Sequence, residues 1–337
     1  MNFSSIGDLS QFIVMRSSNL ALRTDIQRLS SETTTGVRED IPKHLRGDLL
    51  DLSRLSHAIQ SAEAYQRNVK EAETAAKAMQ LAFSNIQKIA DSQGIAMQSD
   101  VSLASDKLRR SVASIAESQL DDVIASLNTR LGGRYLLSGT KANIAPIKPA
   151  EKIIEAAAAS ASGAKTAEQT LMQLREWFAD DTVSGNVGEN FYQGSVRDYS
   201  MHGVGPSQTI SFTQTANEEG VREVLLGLTI GALVSRGAFY KRPDQQAELM
   251  RAGGSSLLEG SAALSLSMAS LGSVEHAIEQ ASIRLEREIN TLQIERTELI
   301  SVDSYEVGSQ LVQAEAQLRA LYAVTARLSN LSLATYL

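Results

Sequence analysis

LRGDLLDLSRLSHAIQSAEAYQRNVKEAETAAKAMQLAFSNIQKIA, residues 45–90, repeats apolar side chains three and four positions apart. Leu45, Leu49, Leu52, Leu55, Ile59 and Ala62 open the stripe, and Val69, Ala72, Ala76, Met79, Phe83, Ile86 and Ala90 continue it. Such spacing puts one apolar line on one face of a helix. At 1.5 Å per residue the helix would run roughly 65–70 Å. A compact domain seldom uses so long an element, so the stripe predicts a bundle of long helices.

The same pattern flanks this stretch. Phe12, Met15, Asn19, Leu22, Ile26, Leu29 and Thr33 form a heptad seam that Gly36 stops. Residues 37–47 read as a connector in which Pro42 opens the next helix. Gly94 and the polar residues to Asp106 read as a turn, and a third helix is expected from Ser105 to Leu131. Gly132–Gly133 would end it, and RYLLS (134–138) reads as a strand closed by Gly139–Thr140. Helix resumes after Gly254, with a heptad at Ile278, Ser282, Leu285, Ile289, Leu292, Arg296 and Leu299. The frame slips at Val302–Tyr305, where Ser301 or Asp303 would cap a new start. Leu311, Ala314, Leu318, Leu321, Thr325 and Leu328 then carry it on.

Residues 141–255 differ in character and hold four of the five prolines. Helices are expected at Glu151–Ala159, Ala167–Phe178 and Glu218–Tyr240, and strands at Val196–Ser200 and Thr209–Thr213 with HGVGPS as the turn. The predicted fold is therefore mainly α. A long antiparallel coiled-coil-like bundle forms from the N- and C-terminal regions, with a smaller α+β central insert. Its expected parts are terminal helices at 1–44 and 301–337, a helical bundle at 45–140 with 256–300, and the insert at 141–255.

Composition narrows the function. The net charge of −7 disfavours nucleic-acid binding, and the absence of cysteine excludes disulfides and thiolate chemistry. The first 20 residues lack the basic and apolar regions of a Sec signal peptide, and no apolar run approaches the ~20 residues of a membrane span. The ends are undercharged: only Asp8 and Arg16 in the first 22 residues, only Arg319 and Arg327 from Leu318 on. A solvated helix carries more charge on its outer face, so these ends are expected to be covered by other copies and disordered in the free monomer. The expected assembly seam is Phe12, Met15, Leu22, Ile26, Leu29, Leu311, Leu318, Leu321, Leu328, Leu331 and Leu337.

No catalytic constellation emerges. His44, His57, His202 and His276 form no metal-ligand spacing, Gly203–Pro206 reads as a turn, and the pairs Asp121–Asp122 and Asp180–Asp181 point to different helix faces. Ser138 reads as a turn residue, Trp177 and Phe178 as anchors of the insert's core, and Arg296 as a seam residue whose charge reaches the bundle edge. No enzyme activity, metal or cofactor is expected.

SVDSYEVGSQLVQAEAQLRALYAVTARLSNLSLATYL (301–337) closely resembles the C-terminal end of flagellins and hook–filament junction proteins. GGRYLLSGTKANIAPI (132–147) resembles the Gly-Arg-Tyr-Leu-Phe-Ser-Gly-Thr motif of the hook-associated protein 3 members of that superfamily. NFYQGS (190–195), TANEEGVREVLLGL (215–228) and the ending Thr335-Tyr336-Leu337 are similar to theirs as well. The family's Thr-Gly-Lys-Arg and Asp-Asp-Pro signatures are replaced here by Thr35-Gly36-Val37-Arg38 and then REDIPKHLRGD. The resemblance implies a structural subunit of the bacterial flagellum at the hook–filament junction, exported by the flagellar type III apparatus. It implies as partners further copies of itself, a neighbouring hook-associated protein, flagellin, and a cytoplasmic export chaperone on the C-terminal helix. A minor flagellin and a cytoplasmic coiled-coil scaffold are the alternatives, and an enzyme would have to place its site in the insert.

Overall fold

The structure is a computed structural model and describes residues 4–100, 104–179, 191–195 and 199–334. The chain is mainly α-helical with, among the described residues, two small antiparallel sheets, and it divides into two compact units, 1–63 with 287–337 and 64–286. Their boundary falls inside both of the longest helices, and the expected insert lies wholly in the second unit.

In the first unit α1 (Ser4–Thr35) ends at Gly36, whose φ of +70° is the left-handed value a helix stop needs. Its amide donates to the Glu32 carbonyl at 2.9 Å. The one-turn helix α2 (Ile41–His44) follows, with Asp40 capping the Lys43 amide and Pro42 in its first turn. Pro42 thus opens a single turn and not the long helix. That helix, α3 (Leu50–Gln98), starts after Asp48 accepts the Leu50 amide at 3.1 Å. Leu45 and Leu49 therefore precede it. The last helix, α9 (Ser304–Ala334), starts where Asp303 accepts the amides of Tyr305 and Glu306 at 2.8 and 3.2 Å. Of the two expected caps, Asp303 makes the bonds. The breaks before α2 and before α9 face one another. Arg38 donates its amide to the Ile300 carbonyl at 2.9 Å, Val302 donates to Gly36 at 3.1 Å, and Val37 bridges Ser301.

The second unit is built on α3 from residue 64, α4 (Asp106–Leu127), α7 (Glu219–Ser235) and α8 (Pro243–Ile300) to residue 286. α7 is buried continuously from Val224 to Val234, as a helix apolar on all sides must be, and its Arg222 and Glu223, both half-buried, precede that run. On α3, Val69, Ala72, Ala76, Met79, Phe83, Ile86 and Ala90 are buried, as the stripe predicts. α8 runs antiparallel to it. Gln87 donates to Ser265 at 2.7 Å, Ser261 to Asp91 at 2.5 Å, and Gln98 to Ser255 at 3.2 Å.

Two expected turns are helix interior. Gly94 lies within α3, and Gly253–Gly254 lie within α8, which begins at Pro243 rather than after Gly254. A Cβ on Gly254 would stand 2.9 Å from the Gly94 carbonyl oxygen, and one on Gly94 would stand 3.2 Å from the Gly254 oxygen. These glycines let two backbones touch, which offsets their weak helix propensity. Over one window α8 is also apolar enough to cross a membrane by length and composition. Its Leu257, Leu264, Leu271 and Ile278 are buried in the protein, while Leu266 is exposed and 28% of that window is buried.

The end of α4 and the insert that follows it differ from the sequence expectation in detail. α4 stops at Leu127, and Gly132–Gly133, both at positive φ, turn a short hairpin between β1 (Arg130–Leu131) and β2 (Arg134–Tyr135). The strand expected over 134–138 is therefore two residues long. α5 (Ala150–Ser160) and α6 (Ala167–Phe178) appear where expected. β3 (Tyr199–Gly205) pairs with β4 (Gln208–Phe212), so His202–Gly205 are strand and the turn is confined to Pro206–Ser207. Asn68 of α3 donates to the Gly203 carbonyl at 2.8 Å and ties the hairpin to the helix.

Candidate assembly surface

The terminal helices α1 and α9 pack against each other. Leu29, Val307 and Ala314 are buried at their contact, with Ile26, Val302 and Leu311 packed around them. Met15 lies beside Thr325, 3.9 Å from its hydroxyl, so the two helices are antiparallel. Of the expected seam, Leu29 is buried and Met15, Leu22, Ile26, Leu311, Leu318 and Leu321 are half-buried. Phe12 is 61% exposed and does not join them. The side chains of Leu328 and Leu331, and Leu337 entirely, lie outside the described residues, as do Asn190, Asp180–Asp181 and the 335–337 ending.

A second apolar set escaped the heptad reading. Ile13 and Leu20 on α1, and Tyr305 and Val312 on α9, are exposed. Each lies two positions before a seam residue: Met15, Leu22, Val307 and Ala314. Two positions rotate a side chain by about 200° on a helix, nearly to the opposite face. Their own spacing of seven was the signal that locates them. Val14, Tyr322 and Val324 add to the exposed apolar surface. Charge here is sparse. Arg28 bonds Asp25 and Glu32 at 3.3 and 3.1 Å, and Arg319 bonds Glu315 at 3.4 Å.

The residues weighed for chemistry stay apart. His57 is exposed, and His276 is exposed 3.8 Å from Glu279. His202 packs edge-on to Phe212, and burial lowers its pKa even though Glu71 pulls it upward. Ser138 is buried and donates to the Tyr135 and Lys141 carbonyls, which makes it a turn residue. Phe178 is buried beside Trp177 and Phe191, at ring separations of 4.7 and 5.2 Å, in the core of the insert. Arg296, Asp121 and Asp122 are exposed. Among the described residues no group of three or more His, Asp or Glu is placed to hold a metal.

No protein-family model matches the chain, and no curated protein matches it. Among solved structures it is similar to a proposed flagellar hook-associated protein of Vibrio parahaemolyticus. The TM-score is 0.39 and the identity 12%, over 71% of this chain and 95% of that one. That likeness is too slight to carry an assignment.

Proposed function

We propose that the chain is a structural subunit of the bacterial flagellum, placed between hook-side proteins and the flagellin filament, and has no catalytic role. The observation that carries this reading is the pair of terminal helices with apolar residues on two faces. One face meets its own partner helix, and the other, at Ile13, Leu20, Tyr305 and Val312, is left for neighbouring copies. The resemblance of 301–337 and 132–147 to hook-associated protein 3 supplies the flagellar setting. In this role the subunit leaves the cell through the flagellar type III apparatus, with its ends unfolded and a chaperone holding the C-terminal helix beforehand. Its partners are its own copies, a neighbouring hook-associated protein and flagellin.

The test is Leu321→Asp. Leu321 is half-buried on α9 near Met15, so a carboxylate there opposes pairing of the ends without entering the second unit. The expected result is loss of assembly and motility with an unchanged second unit. Global unfolding would overturn the reading, because the ends would then be part of the monomer's core. A second reading, a cytoplasmic coiled-coil scaffold, draws on the pairing of α1 with α9 within one chain. Limited proteolysis separates the two. Flagellar ends are cut first, back to about 40 residues from each terminus, whereas scaffold ends resist as long as the core.

A further inference from the structure

The end of α1 and the connector that follows it line an open surface pocket of about 220 Å³, formed by Arg28, Glu32, Arg38, Asp40, Lys43 and His44. The acids in it are occupied. Glu32, 3% exposed, accepts the Glu39 amide on one oxygen and Arg28 on the other, both at 3.1 Å. Asp40 accepts the Lys43 amide at 3.1 Å. Of the basic groups, Arg28 is paired with Asp25 and Glu32, whereas the other three are not. Among the described residues, Arg38 Nε is buried and bonds to no atom, and no acceptor engages the Lys43 ammonium or the His44 ring. A buried donor of a charged group left without an acceptor is costly, so the pocket calls for one. Water can satisfy the donor, but an anion makes a stronger, charge-assisted bond and balances the one net positive charge of Arg28, Arg38 and Lys43 against Glu32 and Asp40.

We propose that this pocket binds one tetrahedral oxyanion, inorganic phosphate or sulfate, with Arg38 Nε donating from the floor and Lys43 and His44 closing over it. The volume holds such an ion with several waters, each claiming ~30 Å³. The free oxygen of Asp40 at the rim keeps the affinity modest. The Arg38 amide is already bonded to the Ile300 carbonyl, so a bound anion fixes both ends of Arg38 and stiffens the paired breaks at 36–38 and 300–302. Arg38, Asp40, Lys43 and His44 of the site lie in the REDIPKHLRGD stretch, where the sequence departs from the flagellin pattern, and Arg28 and Glu32 come from α1.

Equilibrium dialysis of the full chain against radiolabelled phosphate, at ionic strength held constant with chloride, tests the site. One saturable site per chain is expected. Arg38→Gln weakens it about tenfold, the effect of losing one charge-assisted hydrogen bond. Lys43→Gln, at an exposed position that leaves folding unchanged, weakens it severalfold, and Arg175→Gln, in the other unit, leaves it intact. Competition by sulfate at comparable concentration marks general oxyanion chemistry. Absence of saturable binding, or binding unchanged in Lys43→Gln, overturns the proposal even where Arg38→Gln fails to fold.

Discussion

Gly231→Ala and Gly272→Ala are the same chemical change in two helices of one unit, and they should act with opposite sign. A Cβ built on Gly231 of α7 lies 2.4 Å from the Ala116 Cβ of α4. Methyl carbons rest at about 3.5–4.0 Å, so the helices must part by more than ~1 Å. Neither Cβ has a rotamer through which to retreat, which puts the strain at the upper end of overpacking, about 3 kcal/mol. The better helix propensity of alanine returns about 1 kcal/mol. The net expected loss is about 2 kcal/mol. A Cβ on Gly272 of α8 meets nothing within 4 Å, so only the propensity term acts and the variant gains about 1 kcal/mol. Urea unfolding followed by the fluorescence of Trp177, the single tryptophan, reads the unit that contains both glycines. Ala116→Gly combined with Gly231→Ala should recover most of the loss, because the contact removed is the one that was strained. A neutral or stabilising Gly231→Ala would refute the close approach of α4 to α7.

Two further changes read other parts of the chain. Glu218 accepts from the Thr215 amide and the Ser267 hydroxyl, but burial dominates and raises its pKa above the usual carboxylate value. The folded state thus favours the protonated acid, and its contribution is fully present below the unfolded pKa and lost as pH rises through the folded one. Relative to Glu218→Gln, the wild type should gain stability as urea unfolding is repeated from pH 7 down to about pH 4; parallel pH curves would remove Glu218 from the account. Asp303→Ala deletes the cap on α9 and should cost about 1 kcal/mol locally, seen as roughly fivefold faster amide exchange at Tyr305 and Glu306. Unchanged exchange there would mean that the cap is dispensable.

The long helices were legible because their burial is one-sided: Val69 to Ala90 line one face, and the sequence repeats with that face. The glycines were harder. Gly36 and Gly132–Gly133 do what glycine does alone in a chain, supplying positive φ at a stop or turn, and they read correctly as breaks. Gly94 and Gly254 read as breaks too, yet each sits in a helix because the other faces it. Whether a glycine ends a helix or admits a second backbone depends on a partner some 160 positions away, and local pattern does not contain that information. The same limit explains RYLLS. Leu136 and Leu137 are buried without a strand to pair with beyond Arg130–Leu131, so apolar content marked their burial and not their conformation. The oxyanion pocket was not legible, since it takes residues on either side of the α1 stop and depends on which acids are already engaged.

Of the heptad seam, Leu29 is buried and Met15, Leu22, Ile26, Leu311, Leu318 and Leu321 are half-buried, and the stripe opposite them explains why one hairpin is an incomplete solution. Ile13, Leu20, Tyr305 and Val312, with Phe12, Val14, Tyr322 and Val324 beside them, stay exposed after α1 and α9 have paired. Covering each contributes about 1.5–3 kcal/mol, so the set contributes on the order of 10 kcal/mol per subunit when fully buried. Association of two proteins costs an estimated 4–15 kcal/mol in lost freedom alone. A single neighbour covers only part of the stripe and leaves the balance near zero. In a closed ring or helical array, each added subunit buries surface against several neighbours while losing its freedom once. Under the proposed role the subunit therefore stays monomeric in solution and joins only an existing array. Sedimentation of the purified chain should show monomer up to a sharp threshold, and pre-formed assemblies added as seeds should abolish that threshold. A dimer forming gradually with concentration would instead mean that the exposed stripe has one partner, and the array reading would fall.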